Sequence, residues 1–176
     1  AIVADSDAGN EWRETILKGG FARASHSETS APGFHLIETM RFDPEQGIAL
    51  LEAHLERMKA SAAELGFSFD RHEARNQLHA LCFVVEKASR IRLLAARSGA
   101  LALEVHDMPA PWAEPAKCIV MPLPVDPGDW RLRHKTSDRG FYEDGQAAAR
   151  QHGAQETLFV REDGLVTEGC VTNIFV

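Results

Sequence analysis

The apolar positions of this chain follow two different periods. From Ile48 to Leu65 they recur at steps of three and four: Ile48, Leu51, Leu55, Met58, Ala62 and Leu65. That spacing predicts an α-helix with one buried stripe, and Gly66 supplies its end. Just upstream the pattern alternates. Across Phe34–Phe42, Leu36, Met40 and Phe42 share one side while Ile37 and Thr39 point the other way, as in a half-buried strand. Asp43-Pro44 breaks that strand. A second helix is predicted from Arg71 to Ala88. Two β-rich runs, Ile91–Arg97 and Leu101–His106, flank Ser98-Gly99, a dipeptide suited to a tight hairpin. Cys118–Val125 reads as a strand and Gly140–Gln151 as a helix. Thr157–Val160 and Leu165–Thr167 flank a second hairpin turn, Asp163-Gly164, and Asn173–Val176 starts another strand.

These elements group into blocks. In residues 1–22, Asp5, Ser6 or Asp7 can cap a helix through Glu11–Lys18, which Gly19-Gly20 weakens at its end. Residues 23–33 are rich in Ser, Thr and Gly and read as a linker. Residues 34–107 form a first α/β unit. Met108–Pro115 carries three prolines and reads as an interdomain connection to a second unit, 116–176. The expected fold class is α+β with two domains.

Composition narrows the classes. With 176 residues, 44% of them hydrophobic, the chain can bury one core or two small ones. A net charge of -7 argues against a general nucleic-acid binder. No apolar run approaches a membrane span, and the opening residues turn acidic at once, unlike a secretory leader. Cys82, Cys118 and Cys170 are scattered, which suits reduced thiols of the cytoplasm. No cysteine has zinc-like spacing to a histidine and no two histidines are four apart, so no metal site is expected from this chain alone.

Three residues carry candidate chemistry. Lys135 follows Arg131, Arg133 and His134. Like charges ease deprotonation of an ammonium, and a neutral amine is what a Schiff-base lysine must become. The plainer reading is a surface lysine. Glu168 is flanked by Gly169-Cys170-Val171-Thr172-Asn173, a small, polar stretch that lets backbone approach a ligand. It could equally be a solvent carboxylate at a strand end. Arg57 has Ala53, His54, Ala60 and Ser61 three and four positions away, so it has no ion partner on its own helix. It is available either to an external anion such as phosphate or to a partner elsewhere in the fold.

The order of the motifs resembles a family. Phe34-His-Leu-Ile-Glu-Thr-Met-Arg41, Ala53-His-Leu-Glu-Arg57-Met-Lys-Ala-Ser61, Arg92-Leu-Leu, Ser98-Gly99, His134-Lys135-Thr136 and Thr167-Glu168-Gly169 through Thr172-Asn173-Ile174-Phe175 look like the class IV (fold type IV) pyridoxal-phosphate enzymes. These include branched-chain and D-amino-acid aminotransferases and 4-amino-4-deoxychorismate lyase. The likeness covers about residues 34–176 and implies a two-domain D-amino-acid-aminotransferase-like fold. The small α/β domain would be complete and the large one only partly present. Residues Ile2–Lys18 resemble the last segment of chorismate-using enzymes such as aminodeoxychorismate synthase component I. The whole therefore resembles a fused para-aminobenzoate synthase component I and aminodeoxychorismate lyase, cut at both ends.

The resemblance implies roles. Lys135 would carry pyridoxal 5′-phosphate (PLP) as a Schiff base and act as base and acid. Glu168 would keep the pyridine nitrogen protonated, Arg57 would clamp the cofactor phosphate, and Asn173 would lie near the cofactor. Thr39 and Arg41 would border the substrate pocket, although Glu38 could neutralise Arg41. The implied reaction converts 4-amino-4-deoxychorismate to 4-aminobenzoate and pyruvate, a step of folate biosynthesis, in a homodimer fused to or associated with synthase component I. An aminotransferase would use the same pair, and an incomplete domain that binds no cofactor is a further alternative.

Overall fold

A computed structural model describes residues 33–112 and 114–175. The helix expected through Glu11–Lys18 and the linker up to residue 32 lie outside the described residues. The chain divides into two compact units. One runs to Pro109 and takes in Lys135–Ser137; the other holds Ala110–His134 and Asp138 onward.

The first unit contains β1 (Leu36–Asp43), β2 (Gly47–Ile48), α1 (Leu51–Leu65), α2 (Arg71–Cys82), β3 (Ser89–Ala95) and β4 (Leu101–Asp107). The strands form one antiparallel sheet in the order β2-β1-β3-β4. Leu36, Met40 and Phe42 project from one face of β1 and join Ile91, Leu93 and Leu103 in the core. Leu55, Met58 and Ala62 of α1 close over them, with Leu51 and Leu65 packed at the margin. Ile48 departs from the expected stripe. It pairs with Phe42 in β2, and Leu50 turns the chain with a left-handed φ of 52° before α1 begins. Ile48 still packs on the core, so the apolar count was sound although its period was not helical.

Gly66 ends α1 at φ 70°, its N–H bonded to the Ala62 carbonyl. Asp70 caps α2 through the His72 and Glu73 amides. That helix stops at Cys82, short of the expected Ala88. The β-branched pair Val84-Val85 follows, and Ser89 must already lie opposite Phe42 to start β3. Gly99 makes the predicted β3–β4 turn at φ 93°, with Ala96 N–H bonded to the Ala100 carbonyl at 2.8 Å.

The second unit contains β5 (Cys118–Pro122), a 3-10 turn at Trp130–Leu132, α3 (Gly140–Gln151), β6 (Glu156–Val160) and β7 (Val166–Gly169). Strands β5 and β6 run parallel, so the chain must cross over between them, and α3 makes that crossover. Strands β6 and β7 form the hairpin expected at Asp163-Gly164, with Gly164 at φ 84°. Tyr142 of α3, Phe159 of β6 and Cys170 build the core. Helix α3 can lie this close because residue 145 is glycine: a Cβ there would stand 2.6 Å from Cys170 Sγ and 2.8 Å from Phe159 Cζ. Strand β5 is shorter than predicted, giving way to a segment with Pro124 and Pro127. Asn173–Phe175, expected to begin a strand, pairs with none among the described residues.

Leu55 is fully buried at the seam between α1 and the sheet. Leu55→Ala should cost about 2–5 kcal/mol in urea denaturation. A loss under about 1 kcal/mol would show that this stripe is not the seam.

Candidate active site

Lys135 sits on a short backbone clamp against β1. Its carbonyl accepts from Ile37 N–H at 3.0 Å, Thr136 bridges to Leu36, and Ser137 N–H donates to the His35 carbonyl at 2.8 Å. The Ser137 hydroxyl closes the clamp by accepting from His35 N–H at 2.8 Å. Thr136 is buried and Lys135 half-buried. The charge expected upstream is partly spent: Arg131 chelates Asp129 with contacts of 3.0 and 2.7 Å and lies 3.8 Å from Asp138.

Arg57 meets its partner on β1. Its Nε donates to Glu38 Oε1 at 2.7 Å and its Nη2 to Oε2 at 2.5 Å. His54 Nδ1 stands 2.8 Å from the same Oε2. Glu38 is 1% exposed, on the core face between Leu36 and Met40. Burial alone would raise its carboxyl, but the Arg57 and His54 hydrogen bonds outweigh it and hold it below the ordinary value. The reach from α1 fits helix geometry, since His54, Arg57 and Ser61 share one edge. The guanidinium stays half-exposed, and side-on pairing with Glu38 uses its Nε and Nη2.

Glu38 therefore does not neutralise Arg41. The two point to opposite faces of β1, and Arg41 has Asp43 at 3.7 Å instead. Arg41 and Thr39 share the other face with residues the sequence reading had not grouped with them. Arg90 lies directly across from Arg41, and Arg92 across from both Thr39 and Glu104. Arg92 Nη1 stands 3.5 Å from Glu104. Register alone assembles this cationic face.

In the second unit Glu168 is the third residue of β7, directly across from Phe159. It is half-buried, and its carboxylate accepts a hydrogen bond from the Tyr142 hydroxyl. Burial, then the Glu168 charge, pushes the Tyr142 phenol well above its ordinary value, so it remains a donor. Arg139 stacks 4.5 Å over the Tyr142 ring and donates to the Cys170 carbonyl at 2.6 Å. Asn173 is exposed.

Sequence reasoning passed over Glu156. It is 1% exposed, yet a full set of donors meets it. Oε1 accepts from Thr157 N–H at 2.9 Å, Cys170 N–H at 3.0 Å and Gln146 Nε2 at 2.7 Å. Oε2 accepts from Val171 N–H at 3.1 Å, Thr172 N–H at 3.0 Å and the Thr172 hydroxyl at 2.8 Å. Burial would raise this carboxyl, but those hydrogen bonds prevail and lower it. Gly169 was expected to let backbone approach a ligand. Within the second unit its close neighbours are Thr172 Oγ1 and Glu156 Oε2, at 2.7 and 3.0 Å from where a Cβ would stand. The only sequence signal for Glu156 was an acid opening the apolar run Thr157-Leu-Phe-Val.

The family model for class IV amino-transferases matches residues 35–176. Among solved structures, a Mesorhizobium loti protein provisionally assigned as an amino-acid aminotransferase is 33% identical, with TM-score 0.70, over 81% of this chain and 69% of that one. A protein provisionally assigned as 4-amino-4-deoxychorismate lyase is 26% identical, with TM-score 0.66, over 77% of this chain and 57% of that one. A Mycobacterium tuberculosis hypothetical aminotransferase, solved in a PLP-bound form, is 24% identical with TM-score 0.64, over 77% of this chain and 55% of that one. The chain thus spans little more than half the length of the last two. A comparison with curated proteins finds no match. This chain belongs to the class IV aminotransferase family, and its mixed α/β architecture is that of the family's solved members. Among the described residues, no helix is long and apolar enough to cross a membrane.

Two buried carboxylates imply a direction of pH dependence. Glu38 and Glu156 are both held below their ordinary value of 4.5. The stability they contribute is complete above that value and is lost as pH falls through their lower folded values. Urea midpoints should therefore drop as pH falls below about 4.5, and Glu38→Gln should flatten part of that slope. An identical slope in the variant would show that Glu38 does not titrate as described.

Proposed function

We propose that this protein is a PLP-dependent lyase that converts 4-amino-4-deoxychorismate to 4-aminobenzoate and pyruvate. The observation that carries the proposal is the cationic face of β1 and β3. Arg41, Arg90 and Arg92 lie there beside Thr39, on the strand whose edge seats Lys135. A substrate with two carboxylates suits such a face. The likeness of residues 2–18 to the end of chorismate-using enzymes and the 26% identical lyase neighbour support the same substrate.

The side chains present suit PLP. Lys135 offers an amine on a fixed backbone, Arg57 a half-exposed guanidinium, and Glu168 a carboxylate bonded to a phenol that stays protonated. PLP, when bound, supplies an aldehyde for amine condensation and a pyridinium that takes up electron density. Arg57 would hold the phosphate, Glu168 would keep a proton on the ring nitrogen, and Asn173 would orient groups near it. Lys135 Nζ takes the proton from the carbon bearing the substrate's amino group and gives one to the enolpyruvyl methylene. The C–O bond to that group breaks, pyruvate leaves and the carbocycle becomes aromatic. One amine acting as base and then acid needs a pKa near the working pH.

A second reading is an aminotransferase with the same Lys135 and Glu168, favoured by the 33% identical Mesorhizobium loti neighbour. Incubation with 4-amino-4-deoxychorismate, and separately with a branched-chain amino acid plus 2-oxoglutarate, separates the two. Pyruvate without glutamate is the expected outcome; glutamate without pyruvate would overturn the lyase assignment. Lys135→Ala should abolish the yellow band that forms with PLP and vanishes on borohydride treatment, and should lower turnover by at least about a thousandfold. A variant that kept the band would remove Lys135 from the role.

A further inference from the structure

We propose that Glu156 is a positioning residue whose buried carboxylate sets the path of Cys170–Thr172, and through it the placing of Glu168 and Asn173. The claim rests on the reading that those two residues serve the cofactor. Glu168 and Asn173 bracket a stretch that is packed only at its start: Gly169 and Cys170 are buried, whereas Val171, Thr172 and Asn173 are exposed. A short exposed loop wanders unless its backbone groups are tied. Three consecutive amides, Cys170, Val171 and Thr172, converge on one carboxylate, and the Thr172 hydroxyl adds a fourth donor. Successive N–H groups turned toward one anion form a nest, and here the anion is a side chain of the same chain.

Each neighbour keeps the carboxylate in place. Thr157 N–H fixes Oε1 from the same strand, Gln146 reaches Oε1 from α3, and the Thr157 hydroxyl ties β6 to the Gly145 carbonyl at 2.7 Å. Gly169 permits the approach, because a Cβ would crowd Oε2 at 3.0 Å. The anion thus links the helix, the central strand and the end of β7. Glutamine cannot replace it. Its single amide oxygen can meet one half of the nest, and its NH2 would face donors on the other half.

Hydrogen exchange on the unliganded protein tests the nest. In Glu156→Gln, amides at 170, 171 and 172 should exchange about tenfold faster or more, while those of β1, β3 and β4 keep their rates. Gln146→Ala removes the α3 donor but none from the loop, and should leave the three amides within about twofold. The second readout is spectroscopic. With PLP added, the pH at which the visible band changes should shift in Glu156→Gln and not in Gln146→Ala. Unchanged exchange in Glu156→Gln overturns the proposal. So does a loosened loop whose PLP-bound protein titrates like wild type. If wild type itself forms no band with PLP while the variant's loop loosens, the cofactor reading fails and the hold of Glu156 on the loop stands. If Glu156→Gln does not fold, Thr172→Val replaces it. Loss of one donor should speed exchange at 171 and 172, and no change there overturns the proposal.

Discussion

A carboxylate taken out of water must be met by donors, because an unpaired buried charge costs several kcal/mol, on the order of the whole stability of a small domain. Among the described residues two are buried, one in each unit. Glu38 is met by a guanidinium and an imidazole from the helix packed above it. Glu156 is met mainly by backbone amides and side-chain groups of its own unit. The two solutions have different consequences. A charged partner can itself be turned to use, so Glu38 leaves Arg57 oriented and half-exposed. Amide partners fix the backbone, so Glu156 leaves a loop with a defined course.

The first unit divides its labour along one strand. The core face of β1 carries Leu36, Met40 and Phe42, and among them the single acid that grips α1. The opposite face carries Thr39 and Arg41. The edge near Leu36 receives the residues around Lys135, far away in sequence. Strand alternation makes this possible, since neighbouring side chains point apart and the backbone edge is available to a third partner. The second unit relies on close approach. Glycines at 145 and 169 let helix, strand and loop come within contact distances that any side chain would forbid.

Motif order singles out Lys135, Glu168, Arg57 and Asn173 as candidates, because reactive residue types are few and their spacing is characteristic. The residues that hold them were not visible. Glu38 could have been suspected, as an acid at an even position in an apolar alternation from Leu36 to Phe42, where water is excluded. Tyr142 looked like any aromatic at the start of a helix. Glu156 showed only as an acid at the head of an apolar run, since every partner but Thr157 lies 10 to 16 positions away.

The sequence alone determined the elements whose cause is local. The alternation of β1, the stripe of α1, the stop at Gly66, the turns at Gly99 and Gly164 and the bounds of α3 all follow from neighbours a few residues apart. Tertiary structure decided what depended on distant partners. It made Ile48 a strand residue because Phe42 was there to pair with it, ended α2 early because Ser89 had to face Phe42, and, among the described residues, gave Asn173–Phe175 no strand partner. It also chose the partners of Arg57 and Glu156. A local pattern says which face of an element is apolar, but which charged groups meet is settled only when separate elements pack and shut water out.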